Sequence, residues 1–341
     1  MDHVRLLPKV DLHIHLDGSM RPATVIELAA EEGIRLPDTD PARLAAHLQA
    51  SEMCGSLGDY LAKFDLPLRC LQTSEGLRRA AYELVMDAHA DRVKYIEVRF
   101  APLLHTAGRL SAEEVIAEVL HGLERGERES GTLARAIVIC LRSHDPAENI
   151  RVIHAAHSFQ GRGVVGVDLA GDEARFPPQL HRDVFRLADR YGFPVTLHAG
   201  EAAGAENIRE CVSHMHAVRI GHGVRLKESE PLVQWIKERN IALEMCVTSN
   251  IQTKAVRCWE EHPIKEYFEQ GILVTVNTDN TTVSNTTMTQ EYEKIMKLYR
   301  FTIGEMKQLI LNAANVSFLE TERKRELTAS LQTELGLASG T

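Results

Sequence analysis

Two histidines stand two residues apart in Asp11-Leu12-His13-Ile14-His15-Leu16-Asp17-Gly18, at the end of an apolar run. If that run is a strand, the alternation of side chains puts both imidazoles on one face. Two convergent imidazoles are a bidentate start to a zinc site, although a pair of histidines satisfied by ordinary hydrogen bonds has the same spacing. Three further segments set ionisable groups after apolar runs: His198 with Glu201, His222 in Ile220-Gly221-His222-Gly223, and Asp279 with Asn280 after Val276-Asn277-Thr278. Asp279 by itself reads equally well as a helix N-cap. Four such segments together are hard to explain as packing. Three imidazoles and one carboxylate from this set suit zinc, which accepts nitrogen and oxygen ligands and keeps a position open for water. Zinc lowers the pKa of that water to ~7, supplying hydroxide at neutral pH. Glu201, three residues past His198, is placed to shuttle a proton rather than to bind metal. The run Gly166-Val167-Asp168-Leu169-Ala170-Gly171 contains no lysine to bridge two metals, so a mononuclear site is expected.

Positioning these groups requires strands that end at a common mouth. Eight short runs read as strands: Lys9–His15, Lys94–Ala101, Leu133–Leu141, Val164–Ala170, Pro194–His198, Val218–His222, Ala242–Val247 and Leu273–Thr278. Most are nearly continuous in apolar residues, as parallel strands buried on both faces are. Between most of them lie amphipathic stretches such as Ser111–Glu129, where Ser111 and Glu114 have capping-box spacing, Gln179–Tyr191 and Thr302–Ala314. Strand–helix alternation of this length predicts an α/β fold, a (β/α)8 TIM barrel, with the active site at the C-terminal ends of the strands. An open doubly wound sheet is the alternative from pattern alone. Residues 17–93 exceed what one barrel helix needs and read as an insertion over the mouth; residues 281–341 read as the last barrel helix plus extra C-terminal helices. No linker divides the chain, so residues 1–341 are expected to form one domain.

The composition is that of a globular protein, and the formal net charge is −9. That charge, with no Lys/Arg stripe, argues against nucleic acid or an anionic membrane as partner. No apolar run approaches the ~20 residues of a membrane helix, and the first residues do not read as a secretion signal. The six cysteines are scattered with no C-x-x-C pair, so reduced thiols in a cytoplasm are expected, with Cys140 and Cys246 as core packing. His154, His157, His214 and His216 sit in or beside helical segments and are expected outside the site.

The motifs PKVDLHIHLDGS at 8–19, SLGDYLAKFDLP at 56–67, EVRFAP at 97–102, GVDLAGDE at 166–173, VTLHAGE at 195–201, RIGHG at 219–223 and NTD at 277–279 occur in this order. As a set they are highly specific, and over about Leu7 to Asn315 the chain resembles the adenosine deaminase family of the amidohydrolase superfamily. The resemblance implies hydrolytic deamination of adenosine or 2′-deoxyadenosine, in purine metabolism, with one zinc per chain. It implies that His13, His15, His198 and Asp279 hold zinc and the attacking water, which also hydrogen-bonds Asp279. Glu201 would protonate purine N1, and His222 would orient the hydroxide and steady its charge. The Gly171 N–H would contact N3, a close approach that glycine permits. Asp17 would bind a ribose hydroxyl, and Leu57, Leu61 and Phe64 would cover the purine, although their spacing also fits ordinary helix packing. The other deaminase class needs H-x-E followed by P-C-x-x-C, which this chain lacks.

One position departs from the family. Asn280 stands where a second Asp usually contacts purine N7; its amide offers N–H donors to that acceptor without needing protonation. The following Thr281–Thr287 is unusual too, or simply caps the next helix. Asp17 would repel a 5′-phosphate, which ranks AMP below adenosine. Asp rather than Glu at that position leans toward a nucleoside over free adenine. Aminofutalosine, or another amidohydrolase reaction on the same scaffold, remains an alternative, as does a binding protein without turnover. Ser249 is expected to support Asp279.

Overall fold

A computed structural model describes residues 2–51 and 54–337. Its eight strands follow the apolar runs: β1 (Lys9–His15), β2 (Val93–Phe100), β3 (Leu133–Leu141), β4 (Val164–Ala170), β5 (Thr196–Ala199), β6 (Arg219–His222), β7 (Ala242–Met245) and β8 (Val274–Val276). All pair in parallel, β1 to β4 in one ladder and β5 to β8 in another. Two junctions close the ring: Val167 bridges Val195 between β4 and β5, and Ile14 bridges Asp279 just past β8. There His15 N donates to Asp279 O at 2.7 Å and Asp279 N donates to His13 O at 2.8 Å. A closed ring of parallel strands is a (β/α)8 barrel and rules out the open sheet.

The strands after β4 are shorter than their apolar runs. Pro194 has no N–H for the ladder, though its carbonyl accepts from Val167 N at 3.2 Å. β7 stops at Met245 because Val247–Gln252 turns into a helix. The helix Ala112–Ser130 starts on the predicted capping box of Ser111 and Glu114, and ends on Gly131 in the left-handed conformation. Its Gly122 and Gly126 let it close on the helix Ser74–Ala90: an added Cβ would lie 2.3 Å from Arg78 O and 2.6 Å from Val85 Cβ respectively. Ile303–Val316 likewise begins on a capping box, of Thr302 and Glu305. The Gln179–Tyr191 stretch divides into a 3₁₀ turn, Pro178–His181, and the helix Arg182–Arg190.

Residues 17–93 carry helices Pro22–Glu31, Pro41–Leu48, Leu57–Leu61, Asp65–Cys70 and Ser74–Ala90; Met288–Tyr299, Ile303–Val316 and Thr321–Glu334 follow the last strand. One buried apolar cluster runs from Val4 to Leu335. A register irregularity in β1 between Asp11 and Ile14 interrupts the alternation. His13 and His15 share a face, whereas Asp11 takes the Thr278 hydroxyl at 2.5 Å. Among the described residues no helix is long and apolar enough to cross a membrane.

Candidate active site

β1, β5 and the turn after β8 bring four ligand-type side chains together. Ligand atoms of His13, His15, His198 and Asp279 all lie within 4.8 Å of one another. His13 Nε2 faces His198 Nε2 at 3.1 Å, and Asp279 Oδ1 stands 3.5 Å from His13 Nε2 and 3.3 Å from His15 Nε2. Asp279 and His222 both have φ of +62°, a region non-glycine residues rarely occupy. Asp279 does not cap the next helix; Thr287 does, accepting from Gln290 N. The Ser249 hydroxyl donates to Asp279 Oδ2.

The layer beneath fixes how these imidazoles present themselves. Glu244 Oε2 lies 2.9 Å from His13 Nδ1, and Asp168 Oδ2 lies 3.0 Å from His198 Nδ1. Each carboxylate therefore takes an Nδ1–H and leaves an Nε2 lone pair aimed at the other ring. Two facing lone pairs at 3.1 Å repel unless something positive lies between them. Burial and Arg99 push the His13 pKa down, but Asp279 and Glu244 outweigh them and raise it. Burial holds His15 and His198 below the usual imidazole range, so both offer neutral nitrogens. Burial also pushes the Asp279 carboxyl up, but the His13 hydrogen bond and the His13 charge prevail and hold its pKa well below the usual range. This donor set fits a divalent cation. A second grouping, His222, Cys246 and Asp279, is less suited. Burial holds the Cys246 thiol well above its usual pKa, and a metal needs the thiolate.

Asp168 and Glu244 are in turn held by buried guanidinium groups. Arg99 bonds both at 2.9 Å, and Arg219 Nε bonds Glu244 Oε1 at 2.7 Å. These four residues were not singled out from sequence, although lone charges inside apolar strands were a usable signal.

Glu201 and His222 complete the mouth, with Glu201 Oε2 3.7 Å from His222 Nε2. Burial, then the charges of Asp279 and Glu173, push the Glu201 carboxyl up to about 8. That shift favours the protonated form near neutral pH. Its loop is anchored by a residue the sequence did not single out for a role: the Glu173 carboxylate accepts from the backbone N–H groups of Gly200, Glu201, Ala202 and Ala203 at 2.8 to 3.0 Å, and from Asn207 Nδ2 at 3.0 Å.

A cavity of ≈ 420 Å³ opens over this centre. His15, His198, Glu201, His222 and Asp279 form part of its wall, and Asp17, Gly171 and Asn280 another part. Leu57, Leu61 and Phe64 line it from the insertion, so the expected apolar cover is in place. Gly171 has φ of +109°, which selects glycine there. Asn280 Nδ2 donates to Tyr60 OH at 2.9 Å, and Tyr60 OH lies 2.7 Å from Ser284 Oγ. Tyr60 was missed because its partners come from the far end of the chain. Asn280 Oδ1 is buried without a hydrogen-bond partner. His154 and His157 instead pack on Tyr191, and His214 and His216 are exposed, all outside the site. All six cysteines are free thiols.

Comparison with known proteins agrees with this geometry. The adenosine deaminase family model matches residues 8–334. An adenosine deaminase of Enterococcus faecalis is 44% identical over 329 residues, 96% of this chain and 97% of that one. Among solved structures, an adenine deaminase of Arthrobacter aurescens superposes with a TM-score of 0.89 at 25% identity, covering 97% of this chain and 99% of that one. An amidohydrolase of Burkholderia ambifaria with bound Zn gives 0.90 at 26% identity, covering 98% and 92%. The chain belongs to the adenosine deaminase family.

Proposed function

We propose that this enzyme deaminates adenosine, and 2′-deoxyadenosine, to the inosine product and ammonia, using one zinc ion per chain. The observation that carries the reading is the pairing of a divalent-cation cage (His13, His15, His198 and Asp279) with a buried carboxyl, Glu201, whose pKa is raised, in the same cavity. Zinc in that cage would supply Lewis acidity, lowering the pKa of a bound water to ~7.

The chain's own residues do the rest. Glu201 donates its proton to purine N1, which makes C6 electrophilic. Asp279, anchored by Ser249, accepts a hydrogen bond from the attacking water. His222 stabilises charge on the incoming oxygen. The Gly171 N–H contacts N3, Asn280 contacts N7 and Asp17 a ribose hydroxyl. The apolar side chains Leu57, Leu61 and Phe64 exclude water from the purine.

Charge supports a nucleoside over a nucleotide. Apart from Asp279 of the cation cage and Glu201, whose raised pKa favours its neutral form, the cavity is lined by Asp17 and Asp172 against one base, Arg175. That guanidinium is mostly exposed and 3.9 Å from Asp172. A 5′-phosphate would meet net repulsion. Residues 1–341 read as one domain, with 17–93 as the lid and 281–341 as C-terminal helices; the continuous core supports this. Free thiols suit a reducing cytoplasm.

The test is a parallel assay of zinc-loaded protein with adenosine, 2′-deoxyadenosine, adenine, AMP and aminofutalosine, following ammonia release. Turnover of the first two supports the reading. Turnover confined to adenine, AMP or aminofutalosine would keep the chemistry and move the substrate. No turnover of any, with zinc bound, would overturn it.

A further inference from the structure

His222 can serve an incoming oxygen in two opposite ways, as a donor through Nε2–H or as an acceptor through an Nε2 lone pair. Which one it presents depends on where its single proton sits. That choice is made far from the cavity. The backbone N–H of Ile264 lies 3.3 Å from His262 Nδ1, and a peptide N–H can only donate. His262 Nδ1 is therefore the acceptor, and its Nε2 carries the proton. Nε2 lies 3.2 Å from Asn250 Oδ1, which fixes the orientation of the amide. Asn250 Nδ2 then donates to His222 Nδ1 at 2.9 Å. His222 Nδ1 is an acceptor, and its proton is on Nε2, the nitrogen that faces Glu201 at 3.7 Å.

We infer that His262 and Asn250 are positioning residues: a one-way hydrogen-bond chain from Ile264 N–H locks His222 as a donor toward the reacting oxygen. The inference rests on the proposed deamination, since it specifies what His222 does there. His222, Asn250 and His262 are all buried, at 1%, 0% and 5% exposure, so water has little access to scramble the chain. Burial also keeps His262 neutral, with its pKa lowered to about 3, so Nδ1 stays an acceptor. His222 itself has a positive φ and stands among the His13 and His198 rings at 4.9 and 5.1 Å. Its Nδ1 is hydrogen-bonded to Asn250, whereas Glu201 stands 3.7 Å from its Nε2, beyond hydrogen-bond distance. Locked this way, His222 stabilises negative charge on the oxygen and does not act as a base through Nε2.

The chain is read directly by nitrogen NMR of zinc-loaded protein labelled at histidine, with His222→Gln used to assign the signal. The expected spectrum shows His222 protonated at Nε2 and bare at Nδ1. Asn250→Asp replaces the donor with a carboxylate and reverses the last link. His222 should then carry its proton on Nδ1, and kcat should fall about 100-fold or more, the usual cost of one such donor. KM should stay within about threefold. His262→Leu removes the middle donor and frees the amide to turn. It should give a mixture of His222 tautomers and a smaller loss of kcat, while His262→Gln, which keeps an N–H, should restore most of it. His222 protonated on Nδ1 in the wild type would overturn the inference, as would Asn250→Asp with kcat within threefold of wild type. If Asn250→Asp fails to fold, the two His262 variants decide: equal kcat in both would overturn it. Failure of the deaminase reading looks different, with no 6-aminopurine turned over and the wild-type tautomer unchanged.

Discussion

At the residue scale the proposed chemistry turns on Glu201. Its carboxyl pKa is raised from 4.5 to about 8, first by burial and then by Asp279 and Glu173. The acid form is the useful one, so activity should hold below that value and fall as pH rises through it. A bound cation pulls the value down, so the alkaline limb of kcat should lie at or below about pH 8. Glu201→Gln should lower kcat by ~10²–10⁴-fold while zinc stays bound; a variant with wild-type kcat would show that the proton comes from elsewhere. Gly18 is a second sensitive position. A Cβ there would lie 1.7 Å from Asn280 Oδ1, so Gly18→Ala must displace the Asn280 amide. Overpacking of this kind costs about 1–3 kcal/mol, and KM for adenosine should rise in a Gly18→Ala titration. Asn280→Ala should likewise raise KM, by about tenfold for one lost hydrogen bond, with a smaller change in kcat. Most of the site was legible in the residues themselves. His13 and His15 on one strand, and single ionisable groups ending β5, β6 and β8, are local signals. Tyr60 and Glu173 were not, because their roles depend on partners 220 and 27 to 34 positions away in sequence.

At the scale of elements, loops matter as much as strands. The turn after β5 presents four consecutive N–H groups to the Glu173 carboxylate of the neighbouring β4 loop. Gly200 permits the turn, with φ of +67°. Glu173→Gln leaves one side of that nest facing an amide NH2. Hydrogen exchange at residues 200–203 should quicken, and kcat should fall toward the ~10²-fold loss that a 1 Å misplacement causes. Unchanged exchange there would contradict the anchoring. The strands were readable because burial on both faces leaves long apolar runs, and the helices Ala112–Ser130 and Ile303–Val316 because capping boxes mark their starts. The short helices Leu57–Leu61 and Asp65–Cys70 are not legible as helices in the sequence, where Leu57, Leu61 and Phe64 stand out only as an apolar cover. Helices of five and six residues are set by tertiary packing rather than by propensity. β7 and β8 are shorter than their apolar runs because the chain turns into the mouth before the run ends, whereas β5 loses the start of its run at Pro194.

At the scale of the whole molecule, the barrel holds a buried charge system gathered round the cation cage. Asp168, Glu244 and Asp279 face the histidine cage, and Arg99 lies between the first two. Binding a cation only to the folded state stabilises it by mass action, about 4 kcal/mol at a thousandfold excess over Kd. Chelation should therefore lower Tm as well as abolish activity, and calorimetry should show both restored by zinc. Asp279 and Glu244 raise the pKa of His13, so a cation in the cage competes with a proton there. Zinc affinity should thus weaken as pH falls through that raised value, and the bound form should release protons on loading. The most direct measurement is a zinc titration of chelated protein, following conversion of adenosine by ultraviolet absorbance. Turnover should rise linearly and level off at one zinc per chain. Full turnover without metal, or one zinc per chain with adenosine untouched, would contradict the account.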